Sequence, residues 1–294
     1  MTRNRVAING FGRIGRAVVK AVHQRYWDAL DLVVIGITDP FITENRALLL
    51  KHDSVYGLFD AEIEPIVRGR TNAIRVDDRQ IDMVGRNRYG PVPEWRRWDV
   101  ELVLEATGYY KDRESAGKHL LAGASKVLVT APAKKPDLTV VLGVNEAQYD
   151  PARHAIVSNA SCTTNALAPS AKVLFERYGI RQGLLSTVHS YTGSQVLLDH
   201  AGKDPRRSRA AALNIVPTST GAAKAVGEVI PELAGRFHGS ALRVPTPTVS
   251  AIFGTFVTSL LKKREFATIV SYMSVFTRVR ERSDDAGSLK AIWP

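Results

Sequence analysis

Cysteine is nearly absent: the chain holds one, Cys162, in 294 residues. No disulfide can form within it and no cysteine-built metal cluster can assemble, so a reducing compartment is expected and no metal is. Long apolar runs are missing too. The longest, Val249 to Leu261, is broken by Ser250, Thr255, Thr258 and Ser259, and it falls short of the ~20 residues that cross a bilayer as a helix. Met1 to Arg5 lead into an apolar strand rather than into the apolar block of a secretion signal. The expected location is therefore cytoplasmic, with no membrane partner. Acidic residues are in deficit, 29 against 40 basic ones, which leaves a formal charge of +11. Such an excess attracts nucleic acid, anionic surfaces or small phosphorylated molecules. The basic residues are scattered except at Arg206-Arg207-Ser208-Arg209 and in the last third. No stripe interleaves them with aromatics, so nucleic acid is expected only as a secondary partner. Internal repeats and low-complexity segments are also lacking, which excludes a solenoid.

What is present is an ordinary globular composition on a chain long enough for two domains. Residues 1–160 alternate strand-like and helix-like stretches. Arg5 to Asn9 reads as a buried strand, Arg13 to Ala29 as a helix, and Leu32 to Ile37 as the next strand, stopped at Pro40. Later strands are expected at Val100 to Ala106, Lys126 to Thr130 and Thr139 to Leu142, with a helix over Arg113 to Ala122. Strands separated by helices of this length imply a doubly wound parallel sheet of the Rossmann type. Beyond residue 160 the pattern changes to a helix over Ser161 to Tyr178, a strand over Leu184 to Val188, a polar loop from Gly193 to Arg209 and a helix over Gly221 to Val229. This second region, 161–294, reads as an α+β domain.

Gly10-Phe11-Gly12-Arg13-Ile14-Gly15 has the G-x-G-x-x-G spacing. The pattern alone is weak, but here it follows a strand and opens a helix. Gly10 permits the tight turn, Gly12 a close approach of backbone to a pyrophosphate, and Gly15 close packing of helix on strand. The helix start then offers N–H groups to the negative charge. Asp39 follows Gly15 by 24 residues, near the spacing of a carboxylate that holds the adenosine ribose. A carboxylate there repels a 2′-phosphate, so NAD is expected in preference to NADP.

An arbitrary cysteine is most often a small buried hydrophobe. Cys162 departs from that pattern, because it lies in Ser158-Asn159-Ala160-Ser161-Cys162-Thr163-Thr164-Asn165, where a strand turns into a helix. A thiol in the first helical turn meets the positive end of the helix dipole, which favours a thiolate. His189 ends a strand in Thr187-Val188-His189-Ser190-Tyr191-Thr192. A lone histidine at a strand end is more often structural, yet a reactive thiol needs an imidazole to take and return its proton.

These motifs, together with Asp53-Ser54-Val55-Tyr56-Gly57, Ala131-Pro132-Ala133-Lys134, Ser219 to Lys224 and Arg243-Val244-Pro245-Thr246-Pro247, resemble the glyceraldehyde-3-phosphate dehydrogenase family. They run in that family's order over roughly residues 4 to 260. The resemblance implies Cys162 as the nucleophile that attacks an aldehyde carbon and His189 as its acid–base partner. It implies Thr192 and Arg243 at the phosphate of glyceraldehyde 3-phosphate. Ser161, Thr163, Thr220 and Gly221 would lie at inorganic phosphate, and Arg207 beside both anions. Charge-assisted hydrogen bonds suit those roles. It further implies Asn9, Gly10, Phe11, Gly12, Arg13, Ile14, Gly15, Asp39, Thr107 and Thr130 at NAD, and a homotetramer. Two other functions stay open here: erythrose-4-phosphate dehydrogenase, and a catalytically silent paralogue that binds nucleotide or RNA.

The match has gaps. Ala166 stands where the family has a second cysteine, Gly193-Ser194 where it has Asn-Asp, and Ala201 where it has a proline associated with NAD preference. No family motif is legible in residues 261–294, which read as a divergent, shortened C-terminus.

Overall fold

A computed structural model of the chain describes residues 3–37, 43–68, 71–85, 91–202, 204–258 and 266–273. Its first region runs β1 (Asn4–Asn9), α1 (Arg13–Arg25), β2 (Leu30–Ile37), α2 (Thr43–Lys51), β3 (His52–Asp53), β4 (Gly57–Leu58), β5 (Ile63–Arg68), β6 (Thr71–Val76) and β7 (Arg79–Gly85). It continues with β8 (Leu102–Glu105), α3 (Arg113–Leu121), β9 (Lys126–Val129), β10 (Leu138–Thr139) and β11 (Ile156–Ser158). Apart from the small β3–β4 hairpin, these strands form one sheet in the order β10-β11-β9-β8-β1-β2-β7-β6-β5.

β1 is central, and Val6, Ala7, Ile8 and Asn9 are all fully buried. A strand covered on both faces reads as a continuous apolar run, because each face packs under helices or loops. On one face Ile8, Ile35 and Ile37 meet Val19 and Val22 of α1; on the other, Ala7 and Val34 meet Trp95 and Val103. β1 pairs in parallel with β2 on one side and β8 on the other. The chain winds outward in both directions from that point, so the crevice at the carboxyl ends of β1 and β8 is the place for a ligand. The antiparallel meander β5–β6–β7 at one edge was not expected from sequence. Pro65 sits in β5, the edge strand, where its missing N–H disturbs the ladder least.

The second region contains α4 (Cys162–Tyr178), β12 (Ile180–Ser190), β13 (Val216–Thr218), α5 (Ala222–Val229), β14 (Phe237–Val244), β15 (Ser250–Thr258) and β16 (Phe266–Met273). Its sheet has the order β13-β14-β12-β15-β16. Side chains alternate along β12 and β15, so Leu185, Ile252 and Phe256 pack with Leu167, Ala168 and Ala171 of α4 and Val226 of α5. The opposite face carries exposed Leu184, Leu242, Phe253 and Val257. The sheet extends into the segment without legible motifs: β16 pairs antiparallel with β15 from Val257↔Phe266 to Ser250↔Met273. The rest of the expected tail lies outside the described residues, as does Asp39.

Several contacts tie the regions together, among them Lys172 Nζ donating to the Val144 carbonyl at 3.0 Å. Arg13 Nη2 donates to the Pro247 carbonyl at 3.1 Å, and Tyr56 Oη lies 3.0 Å from Thr248 Oγ1. The predicted helix over Arg13 to Ala29 ends earlier, at Arg25. There the Tyr26 N–H closes on the Val22 carbonyl, and Trp27 turns to stack on the Arg79 guanidinium.

Candidate active site

The glycine loop joins β1 to α1. Gly10 has φ 107, and a Cβ there would meet Thr107 at 2.8 Å. A Cβ on Gly15 would fall 2.0 Å from the Gly10 carbonyl oxygen, so helix and strand approach more closely than any side chain allows. At Gly12 a Cβ would meet nothing within 4 Å. Gly12 is the N-cap of α1, in extended conformation, with no side-chain cap and no acid in the first turn. The N–H groups of that turn thus have no side-chain cap, and backbone can be approached closely at Gly12, an arrangement that fits a pyrophosphate.

The other residues assigned to the cofactor divide by position. The Phe11 ring belongs to the core at 3% exposure, so its backbone alone faces the loop. Ile14 is partly exposed, and Arg13 reaches the second region. Asn9 is fully buried beneath the loop and gives its Nδ2 to Glu105 Oε2 at 2.5 Å. Thr107 follows β8, and the Thr130 hydroxyl donates to the Glu105 carbonyl at 3.0 Å.

Cys162 opens α4. Ala160, at φ 54, turns the chain out of β11. Ser161 then caps the helix, its Oγ accepting the Thr164 N–H at 3.0 Å. The same hydroxyl lies 3.1 Å from Thr163 Oγ1 and 2.6 Å from Thr164 Oγ1. The half-buried Cys162 Sγ lies 3.3 Å from His189 Nε2. His189 Nδ1 is 2.9 Å from the Ser190 carbonyl oxygen. A carbonyl only accepts, so Nδ1 carries the proton and Nε2 turns its lone pair to the thiol. Burial is the main cause that pulls the His189 pKa below its ordinary value; the Ser190 hydrogen bond opposes this and the Arg243 charge adds to it. The imidazole is thus held in the form able to accept a proton.

Sheet register explains why these residues meet. β12 and β14 are parallel with His189 opposite Arg243, so both side chains leave the sheet at the same end. Arg243 Nη1 donates to the Ser190 carbonyl at 3.1 Å and to Thr192 Oγ1 at 3.2 Å. The Ser190 oxygen therefore serves imidazole and guanidinium together. Arg207 donates to Thr218 Oγ1 and is 3.7 Å from Asp204. Burial chiefly lowers the Arg243 pKa; the Arg207 charge adds to this and Cys162 opposes it. The Nε atoms of both arginines are buried without a hydrogen-bond partner. Two converging cations with unused donors form a cradle suited to an anion. Thr220 and Gly221 open α5; Thr220 Oγ1 accepts the Ala222 N–H at 3.2 Å, and Gly221 offers no side-chain cap.

Sequence reasoning missed Ser190, whose contribution is a backbone carbonyl, and Thr218, whose hydroxyl faces Arg207. It also missed Glu105. Its place opposite Asn9 at the end of β8 was the available signal, since a carboxylate inside a parallel strand is unusual.

The fold and site define a two-domain protein with a Rossmann-type dinucleotide crevice and a thiol–imidazole pair beside a cationic cradle. Residues 4–113 match the glyceraldehyde 3-phosphate dehydrogenase NAD binding domain, and residues 161–284 match that enzyme's C-terminal domain. The chain is 53% identical over 248 residues to the chloroplastic glyceraldehyde-3-phosphate dehydrogenase A of Zea mays, which covers 84% of this chain and 60% of that protein. It is 50% identical to glyceraldehyde-3-phosphate dehydrogenase of Geobacillus stearothermophilus over 84% of this chain and 71% of that protein. The same identity and coverage hold for glyceraldehyde-3-phosphate dehydrogenase 1 of Bacillus subtilis. The chain belongs to the glyceraldehyde-3-phosphate dehydrogenase family.

Proposed function

We propose that the chain is an NAD-dependent phosphorylating aldehyde dehydrogenase, which converts glyceraldehyde 3-phosphate and inorganic phosphate to 1,3-bisphosphoglycerate. The observation that carries this reading is the 3.3 Å approach of Cys162 Sγ to an imidazole whose other nitrogen is committed to a carbonyl. Cys162 Sγ bonds to the aldehyde carbon while its proton passes to His189 Nε2. The imidazolium returns that proton to the former carbonyl oxygen, then takes it back from the resulting hydroxyl as the carbon gives up its hydride, for which a bound dinucleotide would be the acceptor. Inorganic phosphate finally displaces Sγ from the oxidised carbon, releasing the acyl phosphate and restoring the thiol.

Arg243 and Thr192 would hold the substrate's own phosphate. Ser161, Thr163, Thr220 and Gly221 would hold the attacking one, with Arg207 between them. Gly10 to Gly15, Thr107 and Thr130 would hold the dinucleotide. The preference for NAD over NADP rests on Asp39. The reading also includes a homotetramer, supported by Leu197 at 86% and Leu213 at 77% exposure in and after the loop from Gly193. A cytoplasmic setting follows from the need to keep the thiol reduced. Among the described residues no helix is long and apolar enough to cross a membrane.

The test is steady-state kinetics with glyceraldehyde 3-phosphate and NAD, with and without phosphate. A rate that requires phosphate is expected, and turnover independent of it would refute the reading. Parallel rates with erythrose 4-phosphate and with NADP fix substrate and cofactor, and light scattering fixes the assembly.

A further inference from the structure

Glu105 is 1% exposed, yet all four groups around its carboxylate are donors. Oε2 accepts from Asn9 Nδ2 at 2.5 Å and from His119 Nε2 at 3.0 Å. Oε1 accepts from the Thr107 N–H at 2.7 Å and from the Thr107 hydroxyl. His119 is itself fully buried, and the Trp95 indole N–H donates to its Nδ1 at 2.9 Å. An indole N–H only donates, so the ring proton is on Nε2, directed at Glu105. The chain Trp95–His119–Glu105 therefore runs from the core to the crevice, buried throughout and joined by a hydrogen bond at each step.

Its endpoints are on either side of the topological switch. Asn9 ends β1 directly under Gly10, and Thr107 starts the loop after β8. That loop lies so close to Gly10 that a Cβ there would strike the Thr107 backbone N at 2.8 Å. The Thr107 hydroxyl in turn accepts the Tyr109 N–H at 3.0 Å, closing the turn in which Gly108 has φ 74. In a doubly wound sheet the first mononucleotide half takes one end of a dinucleotide and the second half, which β8 begins, takes the other. We propose that Glu105 is a positioning residue for the nicotinamide half of the dinucleotide, because it pins the β8 loop at Thr107 to the glycine loop through Asn9. This rests on the dinucleotide reading above and extends it to a residue that touches no ligand. Loss of the Glu105 acceptors would release Thr107 from Asn9 and let the loop move, and small displacements of a bound reactant are costly.

The experiment measures binding of NAD and of ADP to the full chain for wild type, Glu105→Gln and His119→Phe. Gln replaces one acceptor with a donor that faces other donors; Phe removes the ring N–H that His119 gives to Glu105. Both variants are expected to weaken NAD about tenfold and to leave ADP within about twofold. Equal weakening of NAD and ADP, or a lower melting temperature with NAD affinity intact, would overturn the assignment in favour of a purely structural role. If Glu105→Gln does not fold, His119→Phe gives the same contrast alone, at a residue assigned to no ligand. A wild-type chain that binds neither nucleotide overturns the dinucleotide reading itself, so the two failures are separable.

Discussion

Helices α1 and α4 start in opposite ways. α1 begins at a bare glycine, with open space above Gly12 and no side chain spent on its first N–H groups. α4 begins at Ser161, which satisfies Thr164 N and engages two further hydroxyls. At α1 the first N–H groups are left without a side-chain partner, as a pyrophosphate site requires. A helix that must hold its own reactive atom in one place is finished by its cap, with Cys162 as the first residue inside it. α3 is closed by an Asp112 capping box, and α5 lies between the two, with no side-chain cap from Gly221 but its first N–H, that of Ala222, taken by Thr220 Oγ1.

The sharpest break in this comparison is Cys162→Ser. Removal of the proposed nucleophile is expected to lower kcat by about ten-thousand-fold, while NAD binding at α1 stays within about twofold. Loss of NAD binding would show that the two helix starts are not independent. His189→Asn comes next, with an expected loss of about a hundred- to ten-thousand-fold in rate, again with NAD affinity retained in a binding titration. Finishing α1 is the converse change. Gly12→Asp supplies the missing cap but sets a carboxylate where pyrophosphate would lie. NAD affinity should fall about a hundredfold, since the site depends on unopposed N–H groups, while stability changes by a few tenths of a kcal/mol. Undoing the α4 cap with Ser161→Ala should cost ~1 kcal/mol, read as a lower denaturation midpoint at constant slope. The smallest effect is a pH shift. In the proposed role His189 would act as a base when neutral, and its pKa is depressed chiefly by burial and further by Arg243. The acid limb of kcat/KM should therefore lie below the usual histidine range, and in Arg243→Ala it should move to higher pH.

Much of the first region was legible because local chemistry dictates it. Gly10 and Gly15 sit where only glycine fits, and the β1 and β2 runs are apolar because both faces are covered. Cys162 was legible from the strand-to-helix turn around it. The pairing of His189 with Arg243 was not, because it depends on the register of β12 against β14, two strands joined by a long connection. The β5–β6–β7 meander was hidden by Pro65 and by short strands of mixed polarity. Glu105 looks like a misplaced charge in sequence, and only its four donors in space explain it.

The Ser190 carbonyl oxygen has one further consequence. It anchors the imidazole that faces the sulfur and the guanidinium assigned to the substrate's tail. A phosphoryl group that draws Arg243 toward itself also changes the pull on the atom that orients His189. Grip on the far end of the molecule and readiness at the reacting end thus share a single hinge pin, and an aldehyde without the tail would meet a less well-set base.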